Sequence, residues 1–154
     1  MALEAERGGS LFLLDIPLLA ARLTASVSWL CAGDETSLLP VGIFGASTGA
    51  AAALITAAER PSQIAAVVSR GGRPDLAGAV LHRVRAPTLL IVGGQDTEVI
   101  ALNRSAAMRL ACEHQLAIVP EATHLFEEPG TLEVVSKLAS AWFVKYLGLA
   151  TAGT

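Results

Sequence analysis

Apolar and polar positions along this chain fall into two kinds of segment. Short, uninterrupted apolar runs that are rich in β-branched residues are typical of strands buried on both faces. Longer segments in which apolar residues recur every three to four positions are typical of amphipathic helices. The apolar runs predict strands at 39–44, 64–69, 88–92 and 115–119. The periodic segments predict helices at 15–30, 47–59, 98–110 and 130–147, and a shorter helix at 75–82.

The first helix has clear boundary signals. Asp15 is predicted to cap its amino end, Pro17 suits its first turn, and Gly33 is expected to end it. Its apolar positions are Leu18, Leu19, Leu23, Val27 and Leu30.

Strands and helices alternate from residue 39 onward, and this alternation indicates parallel βαβ units with right-handed crossovers. We therefore expect an α/β domain at 15–147, built from a parallel sheet of about four strands with flanking helices. Residues 1–14 are predicted to form a flexible arm and residues 148–154 a tail. In such sheets, functional side chains collect at the carboxyl ends of the strands.

Composition narrows the class of protein. At 154 residues the chain is long enough for one domain with a substantial core. Apolar residues make up 53% and charged residues 16%, so part of the surface is expected to be covered by a partner subunit. The net charge is −3, aromatic residues are 5%, and no basic stripe is present in the sequence, so nucleic acid is not an expected partner.

Cysteine usage and the absence of targeting patterns favour a cytoplasmic protein. Cys31 and Cys112 lack metal-ligand spacing and are interpreted as reduced, partly buried thiols; a disulfide is the less favoured interpretation. Residues 1–7 carry two glutamates, unlike the positive start of a signal peptide. The uncharged stretch 36–58 is long enough to span a membrane, but its proline, its glycines and its change of period favour a buried strand followed by a buried helix.

The strongest local motif is Gly45-Ala-Ser-Thr-Gly49, which follows a predicted strand and opens a predicted helix. A strand–serine–helix corner of this kind is a nucleophile elbow, in which the serine is strained and its hydroxyl is exposed. Gly45 and Gly49 have no Cβ, and we expect this to let the strand and helix backbones approach closely there without a clash. The simpler alternative is that Ser47 only caps the following helix.

Two further residues complete a candidate triad. Asp96 follows the third predicted strand and His124 follows the fourth, so both belong to the same sheet edge as Ser47. An imidazole can take the serine proton near neutral pH, and a carboxylate can fix its tautomer. The backbone N–H of Thr48, at the helix amino end, is the candidate donor to the oxyanion. The chain order serine, aspartate, histidine fits this architecture.

Each of these assignments has an alternative. Asp96 could be a turn or capping residue, with Glu98 as the weaker candidate acid, and His124 could be a surface histidine. His82 and His114 are predicted to lie in or beside helical segments, away from the strand ends, and are interpreted as structural.

Charged residues near the predicted strand ends are harder to interpret. Arg70 and Arg73 could orient an anionic substrate, but solvated loop charges are the favoured interpretation. Asp75 is a candidate cap for the short helix. Glu127 and Glu128 are expected at the entrance to the last helix, where negative charge is favourable.

Three motifs together carry a family resemblance: Gly45-Ala-Ser-Thr-Gly49, Leu89-Leu-Ile-Val-Gly-Gly-Gln-Asp96 and Ala122-Thr-His124. They resemble the α/β-hydrolase superfamily, specifically its dienelactone-hydrolase-like branch, over about residues 15–147. The resemblance implies Ser47 as nucleophile, Asp96 as acid and His124 as base, with a small ester as substrate and no metal or organic cofactor. Dienelactone hydrolases proper carry cysteine at the nucleophile position, so serine here favours ordinary ester chemistry.

The chain departs from that superfamily at its amino end. A complete member has further strands before the elbow strand, but only about 38 residues precede residue 39 here. We therefore expect a truncated α/β-hydrolase-like sheet without the loop that normally supplies the second oxyanion donor. The leading hypothesis is a small serine hydrolase. The alternative is a non-catalytic interaction or oligomerisation domain.

The same departure would leave the elbow strand, 39–44, at an edge of the sheet. An uncharged edge strand invites pairing with another strand. The segment 11–14 could fold back along it, or two chains could meet there around a two-fold axis. The homodimer is the favoured prediction, and a partner chain could also complete the pocket.

Overall fold

The computed structural model describes residues 15–148. The predicted arm, with its segment 11–14, and the tail from 149 onward lie outside the described residues. The strands are β1 (Val41–Ala46), β2 (Ile64–Arg70), β3 (Thr88–Gly93) and β4 (His114–Val119). The helices are α1 (Ile16–Ala32), α2 (Thr48–Glu59), α3 (Thr97–Ala107) and α4 (Thr131–Leu147). All four predicted strands and all four long predicted helices are therefore present, with ends displaced by a few residues.

The four strands form one parallel sheet in the order β1-β2-β3-β4, which confirms the predicted fold class. The pairing of β1 with β2 shifts register once, between Val41 and Gly42. Beyond that point it is regular: Phe44 lies opposite Val68, and Val68 lies opposite Leu89. Since all strands run in the same direction, their carboxyl ends lie at one edge of the sheet. That edge carries the turns in which the candidate triad residues lie.

Helices cover both faces of the sheet. Alternate strand residues point to opposite faces, so Val67 and Leu90 pack with α1, α2 and α3, whereas Val68 and Leu89 pack under α4. On the α4 side, the indole Nε1 of Trp142 donates a 3.1 Å hydrogen bond to the carbonyl of Pro87. These two cores hold the sheet, and hence its carboxyl edge, in place.

The first helix begins and ends where its signals predict. Asp15 is the N-cap, its Oδ1 accepting a 3.1 Å hydrogen bond from the N–H of Leu18, and Gly33 is the C-cap. The prediction that Leu18 belongs to the apolar face is wrong, because 40% of its surface is exposed. Val27 faces the core at 2% exposure.

The predicted helix at 75–82 is instead two short 3₁₀ helices, Pro74–Ala77 and Leu81–Arg83. Gly78 separates them, and glycine disfavours a continuous helix. The buried side chain of Leu81 draws the second turn into the core. Asp75 does not act as a cap here, because its carboxylate pairs with Arg73.

Within residues 15–148, β1 is an edge strand, as predicted, and its Phe44 is 48% exposed. Pairing of this edge with a second chain stays a prediction. The uncharged stretch 36–58 contains β1 and α2, and no helix among the described residues is long and apolar enough to cross a membrane. Cys31 and Cys112 are free and partly buried, and burial raises the pKa of the Cys112 thiol.

The two glycines of the serine motif differ in their surroundings. A Cβ placed on Gly45 would lie 2.6 Å from the carbonyl oxygen of Gly49 and 2.7 Å from the Cα of Ala50. Gly45 therefore lets α2 lie directly against β1. Apart from its chain neighbours and the backbone of its own helix, a Cβ on Gly49 would meet no atom within 4 Å among the described residues, so the expectation that both glycines avoid a clash is correct only for Gly45.

This difference yields a paired test. Gly45→Ala should destabilise the protein by about 1–3 kcal/mol or more, because backbone atoms of α2 must move to admit the methyl group. Gly49→Ala should be neutral or stabilising by up to about 1 kcal/mol, since alanine favours the helix. Urea unfolding of both variants measures the two free energies. Equal destabilisation by both substitutions would contradict the geometry.

Candidate active site

Ser47 occupies a strained corner between β1 and α2. Its φ of 51° and ψ of −124° are rare for a residue with a side chain. The side chain makes no capping hydrogen bond to α2, although Ser47 is the residue at the cap position. Ser47 is therefore not a conventional helix cap, and its hydroxyl remains available to other partners.

Asp96 and His124 are brought together by the loops that follow β3 and β4. Nδ1 of His124 lies 2.7 Å from Oδ2 of Asp96, which is hydrogen-bond distance. The Asp96 side chain is only 15% exposed and makes no capping bond to α3, so its carboxylate serves the histidine. If Nδ1–H donates to the carboxylate, Nε2 keeps the lone pair that can accept a proton.

These three side chains line one shallow pocket of about 230 Å³ at the carboxyl edge of the sheet. The remaining lining residues are Arg73, Glu98, Val99 and Leu102. Glu98 thus lies in the pocket, but the carboxylate on the histidine ring belongs to Asp96. The pocket therefore brings together a hydroxyl, an imidazole and its carboxylate partner, the set that nucleophilic acyl transfer requires.

Thr48 is the first residue of α2, next to Ser47. The N–H groups of a helix's first turn have no partner within the helix and carry the positive end of its dipole. The Thr48 N–H is thus oriented and free of helical bonding, as a donor to a developing oxyanion must be.

The loop that carries His124 is held by contacts of residues before and after His124 in the sequence. Phe126, at a φ of 56° and 1% exposure, anchors the loop in the α4 core. The Glu128 carboxylate accepts hydrogen bonds from both the N–H, at 3.1 Å, and the hydroxyl of Thr123. The Thr123 hydroxyl lowers the pKa of Glu128, so the bond forms to a charged carboxylate at neutral pH. Glu128 therefore fixes the histidine loop, a role that its position before α4 did not reveal.

The two arginines near the strand ends differ in their contacts. Arg73 lines the Ser47 pocket, and its guanidinium is bound by Asp75 through contacts of 2.9 and 2.8 Å. This pairing raises the pKa of Arg73 and lowers that of Asp75. Arg70 ends β2, and its guanidinium lies 5.5 Å above the Phe126 ring. The interpretation as a solvated loop charge is therefore wrong for Arg70, whereas Arg73 is a loop charge that is 39% exposed and paired with Asp75.

The other two histidines lie away from the pocket. His82 is exposed in the second 3₁₀ helix. His114 begins β4 at the amino edge of the sheet, where its Nδ1 lies 2.8 Å from the carbonyl of Cys112. It therefore lies away from the carboxyl ends of the strands, as predicted, but the prediction that it lies in or beside a helical segment is wrong. Across residues 15–148, no group of His, Cys, Asp and Glu side chains has the proximity that a metal ion would need.

A parallel sheet with a strained serine after one strand, an aspartate after another and a histidine after the last defines the α/β-hydrolase class. The sequence model of the dienelactone hydrolase family matches residues 16–144. The chain therefore belongs to the dienelactone hydrolase family.

Solved structures agree with this assignment. The dienelactone hydrolase of Anabaena variabilis is 57% identical, with a TM-score of 0.86, and the match covers 87% of this chain and 62% of that one. The monoacylglycerol lipase of Paleococcus ferrophilus is 16% identical, with a TM-score of 0.71 over 85% of this chain and 76% of that one, and shows the shared fold.

Curated relatives come from the CDC 1551 and H37Rv strains of Mycobacterium tuberculosis. Each is 59% identical over 133 residues and bears the name of a candidate phosphoribosyl transferase. The match covers 86% of this chain but only 30% of those proteins. This chain thus spans less than a third of the length of its curated relatives.

The Glu128 contact predicts a pH-dependent stability difference. Because its pKa is lowered in the folded protein, the contact stabilises above the ordinary carboxyl range and is lost as pH falls through the lowered value. Glu128→Gln should therefore unfold at lower urea than wild type at pH 7, and the difference should shrink below about pH 4. Glu127→Gln, at the exposed neighbour, is the control. Identical midpoints for wild type and Glu128→Gln at pH 7 would contradict the assignment.

Proposed function

We propose that this chain is a small serine hydrolase that cleaves carboxylic esters through an acyl-enzyme. The observation that carries the proposal is the 2.7 Å contact between His124 Nδ1 and Asp96 Oδ2, in the same pocket as Ser47 at its strained corner. Membership of the dienelactone hydrolase family supports hydrolysis, and serine at the nucleophile position supports ester chemistry.

The proposed reaction has two halves. Ser47 Oγ attacks the ester carbonyl while His124 Nε2 takes the hydroxyl proton, and the Asp96 carboxylate stabilises the imidazolium. The Thr48 N–H donates to the tetrahedral oxyanion. His124 then returns the proton to the leaving alcohol as the acyl-enzyme forms. In the second half, water gives a proton to His124 and attacks the acyl carbon. The bond from the acyl carbon to Ser47 Oγ then breaks, and His124 returns the proton to Oγ, which releases the acid and restores the Ser47 hydroxyl.

The charges around the pocket favour neutral esters. The guanidinium of Arg73 is offset by the carboxylate of Asp75. Asp96 and Glu98 leave the pocket with excess negative charge when the imidazole is neutral. An anionic ester would meet repulsion in the pocket. We therefore do not propose that Arg70 or Arg73 orients an anionic substrate.

A non-catalytic interaction domain is the second candidate. One observation favours it: β1 is an edge strand with Phe44 half exposed, a surface suited to pairing with another polypeptide. Enzymes of this class bind the oxyanion with two backbone N–H donors. One follows the nucleophile, which is the N–H of Thr48 here, and the other comes from a separate loop. A second copy paired along β1, as the sequence predicts, is one source of that donor.

The transferase name of the mycobacterial relatives is not carried over to this chain. That name describes proteins of which the match covers 30%. The proposal rests instead on the hydroxyl, imidazole and carboxylate in the pocket, which are the groups that transfer of an acyl group to water requires.

Turnover of p-nitrophenyl esters of increasing acyl length tests the proposal. Wild type should hydrolyse neutral esters, kcat/KM should rise with pH through the neutral range and then level off, and p-nitrophenyl hemisuccinate should be a poorer substrate than the butyrate. Ser47→Ala should lose at least about 10³-fold in kcat, because no other group supplies the nucleophile.

Ser105→Ala, in α3, is the matched control and should retain turnover. Undiminished hydrolysis by pure, folded Ser47→Ala would rule out the assigned nucleophile. A folded wild type without any turnover would favour the interaction domain.

A further inference from the structure

A fully buried asparagine on α3 contacts the loop beside the nucleophile. Asn103 is 0% exposed, and its Nδ2 donates to the carbonyl of Gly72 at 3.0 Å and to that of Val99 at 2.8 Å. Since both partners are carbonyl oxygens, the amide must present its NH₂ group to them. Its Oδ1 is buried without a hydrogen-bond partner among the described residues, so the two contacts of Nδ2 are the ones that hold this side chain.

Gly72 belongs to the segment 70–73 that follows β2, which we call the β2 loop. This loop bonds the backbone of Ser47 from both sides. The carbonyl of Arg70 accepts from the N–H of Ser47 at 3.2 Å, and the N–H of Arg73 donates to the carbonyl of Ser47 at 3.1 Å. The N–H of Gly71 donates to the carbonyl of Ile91 at 2.7 Å, which ties the loop to β3.

The β2 loop also borders the candidate base. Gly71 has a φ of +52°, and a Cβ placed there would lie 3.5 Å from both Nδ1 and Cε1 of His124. The backbone of the loop therefore passes directly beside the imidazole. One short loop thus contacts both Ser47 and His124, and Asn103 bonds that loop through the carbonyl of Gly72.

We propose that Asn103 is a positioning residue for the nucleophile. By holding the Gly72 carbonyl, its side chain fixes the β2 loop, and the loop in turn holds Ser47 in its strained backbone conformation. Strained conformations of this kind persist only where the surroundings enforce them. The effect on catalysis rests on the proposed hydrolase function, whereas the effect on the loop does not.

The role predicts a specific kinetic signature. Asn103→Leu keeps the branched shape and the number of side-chain heavy atoms but removes the donor, so the loop should loosen while the core stays filled. Because misplacement by about 1 Å can cost on the order of 100-fold in rate, kcat should fall by about 10- to 100-fold. KM should change by less than about threefold, and the pH dependence should keep its shape, since the hydrogen bond to the His124 ring comes from Asp96 and not from the β2 loop.

Thr56→Val is the matched control. Thr56 is also 0% exposed, and its hydroxyl bonds the carbonyl of Ala20, which joins α1 and α2 away from the pocket. The Thr56→Val substitution should lower the melting temperature. It should not lower kcat at a temperature where both this variant and wild type are folded. Asn103→Ala is a second test variant, for use if leucine prevents folding. An equal loss of kcat in the Thr56 control would overturn the proposal.

Hydrogen exchange separates this proposal from the hydrolase assignment. In the Asn103 variants, the amides of Ser47 and Arg73 should exchange at least about tenfold faster than in wild type, while amides in β4 stay protected. This readout does not require ester turnover. If the wild type has no esterase activity, the proposed function is wrong, but the exchange result still decides whether Asn103 holds the β2 loop. Unchanged exchange at both amides would refute the positioning role, whatever the activity.

Discussion

The sharp turn at Ser47 is the constraint on which the rest of the site depends. Its φ of 51° and ψ of −124° place a side-chain-bearing residue in a conformation that costs about 1–3 kcal/mol. Two features enforce it. Gly45 lets α2 lie against β1, and the β2 loop bonds both the N–H and the carbonyl of Ser47. The turn keeps the hydroxyl out of the helix cap and places it at the edge where the other strands also end.

Much of this arrangement could be predicted from the sequence. Ser47, Asp96 and His124 each follow a predicted strand, and a parallel sheet brings the carboxyl ends of such strands to one edge. The parallel topology therefore brings residues that are distant in sequence together in one pocket. Asn103 also left a signal, since it is a polar residue on the buried side of α3, where Ala106 packs too. Its significance could not be inferred without the path of the β2 loop.

Features that depend on contacts between loops could not be predicted. The pairing of Arg73 with Asp75 requires the chain to turn into a 3₁₀ helix at Pro74–Ala77, whereas the local pattern favoured a longer helix. The bonds from Glu128 to Thr123 likewise require a loop folded back before α4. Whether a motif glycine avoids a clash is also a tertiary property, because it depends on which backbone atoms lie beside it.

Activation of one serine is the central claim, and covalent labelling measures it directly. A fluorophosphonate probe followed by peptide mapping should place the adduct on Ser47, and His124→Ala should slow the labelling, because the imidazole is the base that takes the serine proton. Ser47→Ala should take up no probe. Absence of an adduct on folded wild-type protein, or an adduct spread over other serines at similar rates, would contradict the account.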